Sequence, residues 1–145
     1  MTKMITKDMI VLDMEAKDKE DVIRKLSKII EDTDRLIDLD GYIKQVKERE
    51  ATYPTSIGFD VAIPHGKCDS VKTAGVAFAR LKSEIAWSEE ENVRYVFLIA
   101  VPEKEAGDTH LKILAQLSRK IMREEFRNDL EKANDVDKVL ELLEL

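Results

Sequence analysis

Tyr95-Val96-Phe97-Leu98-Ile99-Ala100-Val101, closed by Pro102, is the stretch that decides the fold. It is apolar throughout. A strand alternates its side chains between two faces, so a run without alternation has both faces covered. That places it at the centre of a sheet with helices on either side. Pro102 has no N–H for the ladder and ends the run.

The neighbouring segments supply the other parts. Upstream, Gly75-Val76-Ala77-Phe78-Ala79-Arg80-Leu81 is a second strand candidate, Val61-Ala62-Ile63 a short third, and Met9-Ile10-Val11-Leu12 a fourth. Between them, Lys19–Ile30 carries Val22, Ile23, Leu26, Ile29 and Ile30 at helical spacing, with Asp18 or Asp21 as its cap. Leu39–Glu50 repeats the pattern with Tyr42, Ile43 and Val46. Downstream, His110–Ser118 places Leu111, Leu114, Ala115 and Ser118 on one helical face, with Asp108 or Thr109 as cap. Glu124–Lys132 and Val136–Leu143 read as two further short helices. Helices before and after a block of strands predict an α+β chain. The expected architecture is a three-layer α/β/α sandwich around a mixed sheet of about five strands.

The chain has 145 residues, the size of one ordinary domain, and residues 1–145 are expected to form it. Its 24 Lys and Arg are interleaved with 30 Asp and Glu, for a net charge of −6. No basic tract offers a footprint for nucleic acid. One cysteine, Cys68, forms no internal disulfide and no metal cluster. Residues 1–8 lack the apolar core of a signal peptide, and no run reaches the length of a membrane span. The expectation is a cytoplasmic protein without direct membrane insertion, a monomer or weak dimer.

Three residues could carry chemistry. His65 stands in Val61-Ala62-Ile63-Pro64-His65-Gly66, where a short strand ends in proline and glycine allows close approach. His110 opens a helix, and Arg49 lies in the charged run Lys47–Glu50. Each has a structural alternative: a turn residue, a cap-region residue and a solvated face. Cys68 reads as a small buried hydrophobe. Taken together, the three suit phosphate handling. An imidazole supplies a nucleophilic nitrogen, an arginine a cation, and a second histidine with helix N-terminal amides supplies donors. The chain has no Walker loop and no nucleophile-elbow serine motif, and a phosphoryl group passed between proteins requires neither.

In these segments the chain resembles the enzyme IIA component of the phosphoenolpyruvate-dependent sugar phosphotransferase system, fructose/mannitol class. The resemblance rests on Arg49-Glu50 with Thr55-Ser56-Ile57-Gly58, on Val61–Gly66, on Ile85-Ala86-Trp87 with Val96–Pro102, and on His110–Ser118. It implies that His65 accepts a phosphoryl group from the phosphocarrier HPr, supported by His110 and Arg49. It further implies transfer to a cysteine of a IIB component coupled to a membrane IIC, with fructose as the first expectation for the sugar and mannitol or galactitol as alternatives, and no cofactor or metal. The nitrogen-type regulatory IIA proteins share the histidine signature and form the alternative. Ser56 stands where the family commonly has glycine, and Phe59-Asp60 replaces small or polar residues; both bear on partner fit. Ile57, Phe59 and Ile63 are expected to line the partner surface.

Overall fold

The computed structural model describes residues 3–104 and 109–143, with the side chains of residues 109 and 110 outside that description. The strands are β1 (Ile10–Met14), β2 (Ser56–Gly58), β3 (Val61–Ala62), β4 (His65–Cys68), β5 (Gly75–Ala86) and β6 (Asn92–Pro102). The helices are α1 (Lys19–Asp32), α2 (Leu39–Thr52), α3 (Thr109–Ile121), α4 (Glu124–Lys132) and α5 (Val136–Leu143). The mixed sheet has six strands, ordered β1-β5-β6-β3-β2, with β4 also paired to β6. The expected count of about five fell short because β2 and β4 are short and lack apolar runs.

The long apolar stretch is central, as its two covered faces require. β6 is antiparallel to β5 on one edge and parallel to β3 and β4 on the other. Val96 through Val101 are all at most 1% exposed. The rings of Phe78 and Phe97, opposite each other across β5 and β6, lie 4.7 Å apart between centroids.

Two side-chain sets show what covers each face. Gly66 of β4 meets Tyr42 and Val46 of α2 so closely that an added Cβ would lie 3.1 Å from each. The opposite face carries Arg80 and Tyr95, paired across β5 and β6. Both reach α4: Arg80 donates to the carbonyls of Leu130 (2.9 Å) and Ala133 (2.7 Å), and the Tyr95 hydroxyl bonds Glu131. Arg80 thus satisfies helix-end carbonyls that lack intrahelical partners. The sandwich expected from the patterning is the observed fold.

Local signals act where expected. The Asp18 side chain caps α1 by accepting from the Asp21 amide at 2.9 Å. Tyr53, ahead of Pro54, adopts extended backbone and ends α2. In α3 the expected face is rotated. Ile113, Leu117 and Ile121 are buried, whereas Leu111 is 63% exposed and Ala115 is exposed. The proposed caps of this helix fall outside the described residues (Asp108) or have undescribed side chains (Thr109).

Candidate functional site

Ile63 and Pro64 interrupt one long edge of β6. Val61 and Ala62 pair with Tyr95 and Val96, and His65 to Cys68 pair with Ile99 to Pro102, in a single register. Pro64 has no amide to leave unpaired in the gap, and its carbonyl accepts from the Ile99 amide at 3.0 Å. A proline also confines the residue before it to extended backbone. Ile63 therefore presents its carbonyl in a fixed direction. His65 was expected after a strand; it is instead the first residue of a new one, β4, because pairing with β6 resumes there.

His65 is half-buried on the sheet face that carries Tyr95, Phe97 and Ile99. Its Nδ1 lies 3.0 Å from the Ile63 carbonyl. A carbonyl only accepts, so Nδ1 bears the hydrogen in the neutral ring and Nε2 bears the lone pair. Burial lowers the pKa of the imidazole below its ordinary 6.5, and the charge of Arg49 lowers it further. The bond to Ile63 and the charge of Glu50 oppose that shift. The result is an imidazole kept neutral near pH 7, in one tautomer.

Arg49 sits half-buried in the last turn of α2, where a cation suits the helix dipole. One N–H donates to the Tyr53 carbonyl at 2.8 Å, which ties the guanidinium to the helix end. Its effect on His65 brings these two expected residues into one electrostatic neighbourhood. His110 belongs to α3 by its backbone, and its side chain lies outside the described residues. Cys68 is buried, as a small hydrophobe would be.

Glu50 stands in the Arg49-Glu50 segment, but the sequence reading assigned it no role of its own. It is 5% exposed. Its Oε1 accepts from the Thr55 amide (2.9 Å), Trp87 Nε1 (2.8 Å) and Lys19 Nζ (3.2 Å), and Oε2 accepts from Thr55 Oγ1 (2.6 Å). Nothing in Lys47-Glu48-Arg49-Glu50 distinguishes this carboxylate from its solvated neighbours, except that it faces Val46 one turn earlier.

In and beside β2, Tyr53, Ile57 and Phe59 are 72%, 39% and 46% exposed. Ile63 is only 9% exposed and lines no partner surface; its side chain joins the core while its backbone serves the histidine. Phe59 and Asp60 have φ of 57° and 63°, a left-handed turn following Gly58 at 88°. Arg127 of α4 lies over the Phe59 ring, 4.1 Å from its centroid. No helix among the described residues is long and apolar enough to cross a membrane.

Residues 3–145 match the family described as phosphoenolpyruvate-dependent sugar phosphotransferase system, EIIA 2. The chain is 34% identical over 145 residues to the fructose-specific EIIABC component of the phosphotransferase system from Bacillus subtilis, covering 99% of this chain and 23% of that relative. It thus spans about a quarter of that protein's length. Its backbone matches the nitrogen regulatory protein IIA-Ntr from Neisseria meningitidis with a TM-score of 0.88 at 27% identity, over 97% of this chain and 96% of the other. It matches a chain in the complex of enzyme IIAMtl with phosphorylated enzyme IIBMtl from Escherichia coli with a TM-score of 0.83 at 28% identity, over 96% of each. With the family spanning nearly the whole chain, this protein is a member of the EIIA 2 family of the phosphoenolpyruvate-dependent sugar phosphotransferase system.

Proposed function

We propose that this chain is a single EIIA type-2 domain acting as a cytoplasmic phosphocarrier, and that His65 is the residue that carries the phosphoryl group. The observation that carries this reading is the bond from His65 Nδ1 to the Ile63 carbonyl, which leaves the lone pair on Nε2 of a neutral imidazole. Nε2 attacks the phosphorus of phosphohistidine on HPr. The new P–N bond forms as the donor's P–N bond breaks, and the donor imidazole keeps that electron pair. Positive charge grows on the His65 ring during attack, and the Ile63 carbonyl stabilises it through the Nδ1–H bond. Arg49, with N–H donors beyond the one held by Tyr53, balances the phosphoryl oxygens. His110 supplies a further donor from α3.

The onward step reverses the roles. A cysteine thiolate of a IIB component attacks the phosphorus, the P–N bond to His65 breaks, and the pair returns to Nε2. A IIB partner is supported by the mannitol complex, and a coupled IIC by the fused fructose relative. That relative's name also supports fructose as the sugar. A carrier must release what it binds, so a clamp of modest strength suits the role better than uniform tight binding. The backbone match to the nitrogen regulatory protein supports a second reading, in which the phosphorylation state signals to other proteins.

The test is intact mass after incubation with phosphoenolpyruvate, enzyme I and HPr. Wild type should gain one acid-labile phosphoryl group and His65→Ala none. An equal gain in His65→Ala would overturn the assignment. Discharge onto a fructose-type IIB separates transport from regulation: stable phosphoprotein in its presence favours the regulatory reading.

A further inference from the structure

We propose that Glu50 is the positioning residue of this site, setting the tautomer and orientation of His65 through Thr55 and the Ile63 peptide. The inference rests on His65 being the phosphoryl acceptor, and it assigns the device that prepares that residue for attack.

The connection is continuous. Glu50 holds Thr55 twice, at its amide through Oε1 (2.9 Å) and at its hydroxyl through Oε2 (2.6 Å). The Thr55 carbonyl accepts from the Ile63 amide at 3.1 Å. The Ile63 carbonyl accepts from His65 Nδ1 at 3.0 Å. Pro64 restricts the hinge between these last two residues. A buried carboxylate is thus linked to the imidazole by side chain and backbone, without touching it.

The remaining bonds to Glu50 anchor the carboxylate itself. Trp87, 2% exposed at the end of the β5–β6 hairpin, donates at 2.8 Å, and Lys19, at the start of α1, at 3.2 Å. The Lys19 ammonium also lies 5.3 Å from the Trp87 ring centroid. A buried charge needs such partners to be tolerated. Two parts of the fold outside α2, the start of α1 and the β5–β6 hairpin, therefore fix the point from which Thr55, Ile63 and His65 are aligned.

A role confined to packing would lower stability and leave the imidazole alone. The distinguishing readout is the His65 tautomer, measured by long-range ¹H–¹⁵N correlation on the full chain, with His65→Ala for assignment. Beside it stand kcat and KM for phosphoryl acceptance from phospho-HPr. In Glu50→Ala the Nδ1–H form of His65 should give way to a mixture. Its kcat should fall on the order of 10- to 100-fold, as expected of a misplaced reacting group, with KM for the donor little changed. Glu50→Gln keeps the shape and an acceptor for the Thr55 amide, and should restore the wild-type tautomer and most of kcat. A folded Glu50→Ala with wild-type tautomer and kcat would overturn the proposal. If that variant fails to fold, Thr55→Val decides. It removes only the 2.6 Å bond, and should show the same change in smaller measure; wild-type tautomer and kcat there overturn the proposal equally. Wild-type protein that takes no phosphoryl group on His65 would instead sink the phosphocarrier reading, while the tautomer measurement still judges Glu50.

Discussion

The carbonyl of Ile63 and Nδ1 of His65, two positions apart on either side of Pro64, lie 3.0 Å from each other across the gap between two collinear strands. The bond assigns the ring hydrogen, and burial sets the ring's charge. Because the folded pKa is below 6.5, the folded protein binds fewer protons than the unfolded chain as pH drops past that value. The contribution of His65 to stability is therefore fully present above pH 6.5 and is lost as pH falls toward the folded pKa. Phosphoryl acceptance follows the neutral ring and should hold at pH 6.5, with its acid limb lying below. An NMR titration of His65 checks both. A midpoint at or above 6.5 would refute the assigned environment.

Arg49 acts on the same ring from the end of α2. Removing its charge should raise the His65 pKa, because that charge lowers it in the wild type. Arg49→Ala should also slow acceptance roughly 10- to 100-fold, about 1.4–2.7 kcal/mol of barrier, by deleting charge-assisted donors to the phosphoryl oxygens. Arg49→Lys keeps the charge but loses the planar fork, so the pKa should recover further than the rate does. Wild-type rates in Arg49→Ala would return this residue to an ordinary solvated helix end.

Trp87 should report on the Glu50 anchor. Trp87→Phe keeps an aromatic ring in the buried site but removes the N–H that donates to Glu50 at 2.8 Å, together with part of the indole. Leaving part of a buried carboxylate unpaired should cost about 1–3 kcal/mol. The measurement is the urea midpoint, with the slope unchanged. A variant as stable as wild type would show that Lys19 and Thr55 suffice.

The layers of the fold were legible because their signals are local. The unalternating run in β6 requires two covered faces, and helical spacing in α1 and α2 requires a buried stripe; both hold. The histidine was legible through its flanking Pro64 and Gly66. What remained hidden depends on contacts between distant segments. Ser56–Gly58 and His65–Cys68 form strands only because β3 and β6 offer them edges. Glu50 is buried only because Thr55 and Trp87, the latter 37 positions away, converge on it. Leu111 has the composition of a core residue, yet the face of α3 that packs inward begins at Ile113.

Gly66 tests how closely β4 must lie against α2. An added Cβ would sit 3.1 Å from both Tyr42 Cε1 and Val46 Cγ2. Neither can retreat easily: both residues are fully buried, and the Tyr42 hydroxyl donates to the Ile99 carbonyl at 2.8 Å. Gly66→Ala should therefore destabilise by about 1–3 kcal/mol through overpacking. It should also shift β4 at its first residue, so phosphoryl acceptance should fall beyond what the loss of folded protein explains. Unchanged stability would mean that α2 yields, and that the close approach is not required.

Phe59 offers the last test, on the partner side. A large apolar residue in the left-handed region is unfavourable, by roughly 1 kcal/mol or more. The ring is nonetheless 46% exposed, and among the described residues its ring contact is with Arg127. The fold gains little in return for the strain, which directs attention to what the exposed ring meets. Asparagine accepts this backbone conformation more readily. In Phe59→Asn, relief of strain and loss of the Arg127 contact, about 0.5–1 kcal/mol, should nearly cancel. Stability should stay within about 1 kcal/mol of wild type. Transfer to a IIB acceptor should show a raised KM at unchanged kcat, since His65 and its hydrogen bonds are untouched and only the docking surface is altered. If KM stays at the wild-type value, the ring serves the turn and not a partner.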